Sequence, residues 1–241
     1  VSVPPLSPSP DSPAPSKDPL ALARTGITAA ARDASALVEA IRVRLTTGPE
    51  RVLAQVNAEV DGRRVRVQLA ARTAGEAAER LADGLRQRVR TVSANWRPRP
   101  WPGAAPTPPV SFSTRIVRVK SPSLVWCSPD AAIRTLDAMD YDIHLFTDPA
   151  TETDAVVHRI GPTGYRLTRT LPAAPPRHPA APLTLGPHPA PPLTDREAAD
   201  RLTAADLPYL FYADPRTHRG RVLYRRLDGH LALLAPATAP A

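Results

Sequence analysis

The sequence is short of several residue types, and each shortage removes a class of function. Among 241 residues there is one cysteine, Cys127, which rules out an internal disulfide and a cysteine-based metal cluster. Cys127 stands in an apolar context just ahead of a helix start, where a packing thiol is expected rather than a nucleophile. No apolar run approaches the roughly 18 residues that a membrane-spanning helix requires. The opening VSVPPLSPSPDSPAPS holds neither the basic segment nor the apolar core of a secretory signal, so a cytosolic protein is the simplest expectation. His144, His158, His178, His188, His218 and His230 are scattered, with no HExxH or comparable ligand spacing. The phosphate-cradling patterns GxGxxG and GxxxxGK(S/T) are both missing. No enzymatic activity, catalytic residue, metal or cofactor is expected.

Lysine is nearly absent as well: of 31 basic residues only Lys17 and Lys120 are lysines, and the rest are arginines. The net charge of +8 and pI near 10.5 suit a polyanionic partner, although arginine-rich coding would give the same composition without one. Proline is abundant, 31 residues, most of them clustered in 1–19, 98–109, 172–192 and 236–240. Those clusters read as linkers and tails, with the folded parts between them.

What is present is a repeat. At an offset of 66, Asp148-Pro149 falls on Asp214-Pro215, Thr151 on Thr217, Val156-Val157 on Val222-Leu223 and Arg159 on Arg225; a one-residue shift brings Gly164 onto Gly229. Each copy runs from an apolar stretch (Ile143 to Phe146; Tyr209 to Tyr212) through an Asp-Pro turn to a second stretch (Ala155 to Val157; Arg221 to Tyr224). A Gly-containing turn then leads into a third (Tyr165 to Leu167; Leu231 to Leu234), which predicts a three-strand meander. The Asp148 and Asp214 carboxylates are expected to cap turn backbone, and Asp228-Gly229 reads as a turn rather than half of a catalytic pair. A helix should precede each meander, with Ser128 and Thr194 as N-caps, Pro129 in the first position and Asp130 at the positive end of the dipole. His144 aligns with Leu210 and His158 with Tyr224, so both histidines read as packing or surface positions. A unit of about 45 residues buries too little core alone and wants a partner.

Ahead of the repeat, Ala30, Ala34, Leu37 and Ile41 predict a helix over about 28–40. Three alternating strands should follow, carrying Ile41, Val43 and Leu45; Val52, Ala54, Val56, Ala58 and Val60; and Val65, Val67 and Leu69. Asp61-Gly62 is a hairpin turn between the last two. A helix over about 75–94 carries Ala78, Leu81, Leu85, Val89 and Val92, with Trp96 on the same stripe and Gly84 lowering its propensity. The helices cover the apolar sheet face, leaving Arg42, Arg44, Arg64 and Arg66 on the other. Arg80, Arg86 and Arg90 lie on the last helix, with Arg97 and Arg99 beyond it, and residues 30–101 carry a net charge of about +6.

Arginines at strand spacing present planar donor sets on one side of a sheet, as phosphate binding asks. Aromatic platforms for unpaired bases are missing there, which points to structured RNA met through its backbone. A merely solvated arginine face is the open alternative.

The segment Asp137-Ala-Met-Asp-Tyr-Asp-Ile-His-Leu-Phe-Thr-Asp148, with Ala155 to His158 and Gly161 to Gly164, resembles the actinobacterial dormancy-associated translation inhibitors. These belong to the ribosome hibernation-promoting factors, also called sigma-54 modulation or ribosomal S30AE proteins. Leu210-Phe211, Asp214, Gly220, Val222 to Arg226, Asp228-Gly229 and Leu233 make the second copy resemble the C-terminal domain of long hibernation factors even more. Asn95-Trp96 and Arg97 to Pro102 resemble the dormancy subgroup. The resemblance implies an α+β protein: an N-terminal S30AE-like domain, three or four strands with two helices on one face, followed by two small helix-plus-three-strand repeats. It also implies binding of the small ribosomal subunit and its rRNA near the decoding region and a cytoplasmic, ribosome-associated place, with no DNA or membrane partner. A family first strand would fall at about Leu20 to Leu22.

The boundaries expected are a tail at 1–19, the first domain at 20–102, a linker at 103–112, the first repeat at 113–169, a proline-rich linker at 170–192, the second repeat at 193–235 and a tail at 236–241. The 170–192 linker reaches about 70 Å if extended, so the two repeats are expected to pair within one chain. The pairing core is expected at Ile143, Leu145, Phe146, Tyr209, Phe211, Tyr212, Val222 and Tyr224. The competing reading is a non-ribosomal dimerisation or regulatory module.

Overall fold

A computed structural model describes residues 18–48, 51–93, 96, 98, 115–162, 164–226 and 230–237, in two units, 1–96 and 97–241. In the first, α1 (Pro19–Arg32) begins where Asp18 Oδ1 accepts a hydrogen bond from Leu20 N at 3.0 Å, with Pro19 in the first turn. β1 (Val38–Thr47), β2 (Val52–Val60) and β3 (Arg63–Ala71) form an antiparallel sheet in that order, and α2 (Ala74–Ser93) follows. Asp61 and Gly62 both have positive φ, 48° and 74°, as the tight hairpin between β2 and β3 requires. Alternate residues of β2 are buried against α2 residues Ala77, Leu81, Leu85 and Val89, while α1 packs on α2 through Ala23, Ile27 and Ala30.

Two sequence expectations are corrected here. The first helix lies at 19–32 rather than 28–40, because the Asp18 cap starts it early and Asp33 ends it. Residues 38–40 join β1 instead: Val38 pairs with Val60, Leu37 N donates to Asp61 Oδ1, and a register shift between Glu39 and Arg42 coincides with Ala40 at φ 50°. This long-range pairing overrides an alanine-rich pattern that is locally helical. Leu20 to Leu22 are helical, so they are not a first strand; among the described residues no strand precedes α1. Trp96 is half-buried and lies beyond α2, and the expected linker at 103–112 falls outside the described residues.

Gly84 sits inside α2 because the helix approaches β3 there. A Cβ at this position would lie 2.6 Å from Val67 Cγ1. Gly84→Ala is therefore expected to destabilise the first unit by about 1–3 kcal/mol, despite a gain of about 1 kcal/mol in helix propensity. A chemical denaturation midpoint unchanged or raised would contradict this.

The second unit holds both copies. The first comprises α3 (Pro129–Ala138), β5 (Ile143–Asp148), β6 (Thr153–Ile160) and β7 (Gly164–Arg169); the second comprises α4 (Asp195–Ala204), β9 (Tyr209–Ala213), β10 (Gly220–Arg225) and β11 (Leu231–Leu234). Ser128 caps α3 at Ala131 N, and Thr194 closes a capping box with Glu197 on α4. The strand ahead of each copy crosses to the other. β4 (Ile116–Lys120) runs parallel to β11, and β8 (Leu183–Leu185) runs parallel to β7. The sheets are thus β5-β6-β7-β8 and β4-β11-β10-β9.

The same 66-residue offset relates Trp126, bridged to Thr147, with Pro192, bridged to Ala213. Two expectations change. Residues 116–120, counted with the first repeat at 113–169, form a strand that completes the sheet of the second, and the 170–192 segment is structured rather than a free spacer. It supplies β8, Asp130 binds Ala180 N and Ala181 N at 3.1 Å each, and Ala181 and Ala190 are buried.

Candidate nucleic-acid interface

Strand alternation places Arg42, Arg44, Arg64 and Arg66 on the sheet face opposite the buried valines. The register makes rows across all three strands: Arg42, Asn57 and Arg66 form one, and Arg44, Gln55 and Gln68 the next. The face is therefore a lattice of guanidinium and amide donors with no aromatic ring in these rows, suited to phosphate and sugar oxygens rather than to base stacking.

The arginines are not equivalent. Arg64 Nε lies 3.8 Å from Glu59 Oε1, whereas among the described residues no ion pair engages the exposed Arg42 and Arg44. On α2, Arg80 Nη1 donates to Ala70 O at 3.2 Å and to Glu76 Oε1 at 3.0 Å. Arg86 Nη1 donates to Asp83 Oδ1 at 2.6 Å, and Arg90 is exposed. The helix arginines therefore stand apart from the sheet rows, and two of them are tied to local carboxylates. Arg97 and Arg99 lie outside the described residues. Gln68 was read on the arginine face from strand alternation, whereas Asn57 and Gln55 of the central strand were missed because only strand register shows that they lie in line with Arg42, Arg44 and Arg66.

In the second unit, Leu145, Val156, Ala190, Phe211, Ala213 and Val222 form one buried cluster drawn from both copies, with Ile143, Tyr209, Leu124 and Leu234 packed against it. Phe146 and Tyr212 are corrections to the expected pairing core. Tyr212 packs with Ala198, Ala199 and Leu202 of α4, and Phe146, on the strand face opposite Leu145, belongs to the side covered by α3. Tyr224 is half-buried, with Lys120 Nζ 5.4 Å from its ring centre.

A polar clamp that the sequence reading missed joins the copies. Buried Asp154 accepts from Arg219 Nε at 2.7 Å, from Gly220 N at 2.8 Å and from the Thr147 hydroxyl at 3.1 Å. Gly220 is required by the approach: a Cβ there would lie 2.9 Å from both Asp154 Cβ and Phe211 Cε2. The 66-residue offset aligning Asp154 with Gly220 was the available signal, since an acid matched to a glycine marks where the copies differ.

The turn aspartates cap backbone as expected. Asp148 Oδ1 accepts from Ala150 N, and Asp214 Oδ1 accepts from Arg216 N and Thr217 N. Each also binds an arginine, Asp148 with Arg169 at 2.8 Å and Asp214 with Arg221. Cys127 is half-buried, and burial, followed by the Asp148 charge, pushes its thiol pKa up, consistent with a packing role. Among the described residues no group of three or more His, Cys, Asp or Glu side chains is placed to hold a metal, and no helix is long and apolar enough to cross a membrane.

Both sheet histidines are packed. His144 stacks between Tyr141 and Phe146 at centroid distances of 5.8 and 6.2 Å, and His158 meets the Tyr209 ring of the other copy edge-on at 5.6 Å. Burial lowers His144 to about 4; burial and then the Arg166 charge lower His158 to about 4. An unfolded histidine titrates near 6.5, so each ring's contribution is intact above that pH and is lost as the pH falls toward 4. Below pH 6.5 the second unit is expected to lose about 1.4 kcal/mol per pH unit for each ring. Thermal melts from pH 7.5 to 5 check this, and His144→Leu, the residue of the second copy, should flatten the slope.

The family model for the sigma 54 modulation/S30EA ribosomal protein C terminus matches residues 112–167. That match falls on the first copy, whereas sequence resemblance had favoured the second. Two curated relatives, each described as a dormancy associated translation inhibitor, come from Mycobacterium tuberculosis strains CDC 1551 / Oshkosh and ATCC 25618 / H37Rv. Each is 41% identical over 209 residues, covering 81% of this chain and 76% of the relative. With its arginine-faced first unit, doubled second unit, a match to the sigma 54 modulation/S30EA ribosomal protein C terminus over residues 112–167 and this degree of identity, the chain belongs to the dormancy-associated translation inhibitors.

Proposed function

We propose that this chain silences translation by docking the arginine face of its first unit on rRNA of the small ribosomal subunit, near the decoding region. The observation that carries the reading is the row of Arg42, Asn57 and Arg66 across three strands, a planar donor array that fits a phosphate backbone. The family's translation-inhibitor character supplies the target. A cytoplasmic, ribosome-associated place follows from that target, and the chain needs no chemistry of its own, because occupying the tRNA and mRNA path is sufficient to stop synthesis.

The second unit acts in this proposal as a closed pair within one chain. The shared apolar cluster, the Asp154 clamp and the exchanged strands support it. Pairing faces that are satisfied internally are not offered to another molecule, so one chain engages one ribosome.

The test is co-sedimentation of the purified chain with 30S particles across a salt series, together with sedimentation of the free chain at micromolar concentration. Binding that weakens steeply with salt, and a monomer, are expected. Salt-independent binding or none removes the rRNA reading. A stable dimer lost on deleting residues 193–241 removes the closed pair.

A further inference from the structure

The two exchanged strands of the second unit are finished differently at their outer edges. β8 has three residues and sits between Pro182 and Gly186-Pro187, so it offers few outward backbone groups. β4 has five residues, no proline between Arg115 and Ser121, and an outermost place in its sheet. Val117 and Val119 are 44% and 60% exposed. Ala235 N donates to Lys120 O at 2.9 Å, which turns the Lys120 carbonyl toward β11. Strand alternation then turns the Val119 N–H and C=O outward. The register sets Val119 beside Leu233, and Arg118 and Lys120 beside Ala232 and Leu234 on the opposite face, with a register shift at Val117 between the Ile116–Leu231 and Arg118–Ala232 pairs.

We propose that the outer edge of β4, which no strand among the described residues pairs, docks an extended acidic peptide segment of a partner protein. Its carboxylates lie along Arg118 and Lys120, and its branched apolar side chains lie against Val117 and Val119. The outward N–H and C=O of Val119 are completed by another peptide strand, and the exposed valines reward apolar side chains that a phosphate chain does not have.

A second copy is a poor occupant. Antiparallel self-pairing centred on Arg118 sets this cation against its twin, and like charges directly opposite are destabilising. The chain's own remaining segments do not fit either: residues 99–114 contain five prolines and no carboxylate, and residues 1–17 contain six prolines and only Asp11. The two cations thus keep edges of like kind apart while selecting an acidic strand.

The experiment uses the full chain and three fluorescein-labelled probes: a peptide alternating glutamate and valine, its lysine–valine counterpart, and an RNA hairpin. Fluorescence anisotropy should show saturable binding of the glutamate–valine peptide at least ten-fold tighter than of the lysine–valine peptide. Arg118→Glu with Lys120→Glu should reverse that preference. Val119→Pro, which removes an outward N–H and leaves the bonds to β11 in place, should abolish binding with an unchanged circular dichroism spectrum. If Val119→Pro alters the spectrum, the charge-reversal pair alone decides. No saturable binding of the acidic peptide, equal binding of the two peptides, or unchanged preference in the charge-reversed chain overturns the proposal. So does an RNA hairpin that displaces the acidic peptide from the wild-type chain and fails to bind the charge-reversed one, or a dimer that the charge reversal dissolves.

Discussion

Replacing Arg42 and Arg44 by glutamate is expected to weaken binding to 30S particles by about 100-fold near physiological salt and to lower the salt slope by about two. Each arginine that meets a phosphate releases counterions, so the loss appears in the slope as well as in affinity. These two positions should exceed Arg64, whose guanidinium already has Glu59 at 3.8 Å and must give up that contact to bind RNA. Arg64→Glu would set two carboxylates side by side and mix a stability effect into the measurement. Arg42 and Arg44 are exposed on a strand face, so their replacement should leave the melting of the first unit nearly unchanged. Filter binding or co-sedimentation at several salt concentrations decides it. An unaltered slope would move the contact to the α2 arginines Arg80, Arg86 and Arg90, and the corresponding reversals on that helix would then carry the effect.

Asp154→Ala is expected to lower the stability of the second unit by about 2–4 kcal/mol, because it strands a backbone N–H and a guanidinium at a buried seam. The Arg219 side chain is 39% exposed, so water recovers part of its loss and the Gly220 N–H, which is buried, carries most of the penalty. Asp154→Asn keeps one acceptor oxygen and should cost roughly half as much. Calorimetry of the full chain should show the transition of the second unit falling by about 10 °C while that of the first stays in place. If the seam also holds the pair closed, the alanine variant should gain a concentration-dependent dimer by sedimentation, since loosened copies can exchange partners between chains. An unmoved transition would mean that the apolar cluster around Phe211 and Val222 suffices alone.

Much of this architecture was legible locally. The alternation in Val52 to Val60, the Asp61-Gly62 turn, the caps at Ser128 and Thr194 and the two Asp-Pro turns each depend on a few neighbouring residues, and the structure has them where the sequence indicates. The arginine face was legible for the same reason: period two assigns Arg42, Arg44, Arg64 and Arg66 to one side once the valines are assigned to the other. The first helix was misplaced because an alanine-rich stretch satisfies helical spacing in more than one register. Its end is set by Val38 pairing with Val60, 22 residues away.

The sequence by itself determined the meander strands, the capped helices of the second unit, its doubling and the separation of charge from core, since these follow from side-chain periodicity, turn chemistry and the 66-residue repeat; β8 and the strand character of Val38 to Ala40 came only from pairing across the fold. Tertiary structure alone decided which strand joins which sheet. β4 precedes the first copy and β8 the second, and two copies of one unit offer nearly equivalent open edges at β7 and β11, so local pattern does not distinguish them. The choice is made by the buried seam. Asp154 must reach Gly220 and Arg219, and Leu145 must meet Phe211; burial of that shared core, rather than the preference of any strand, leaves β4 at an open edge and β8 at one closed by proline.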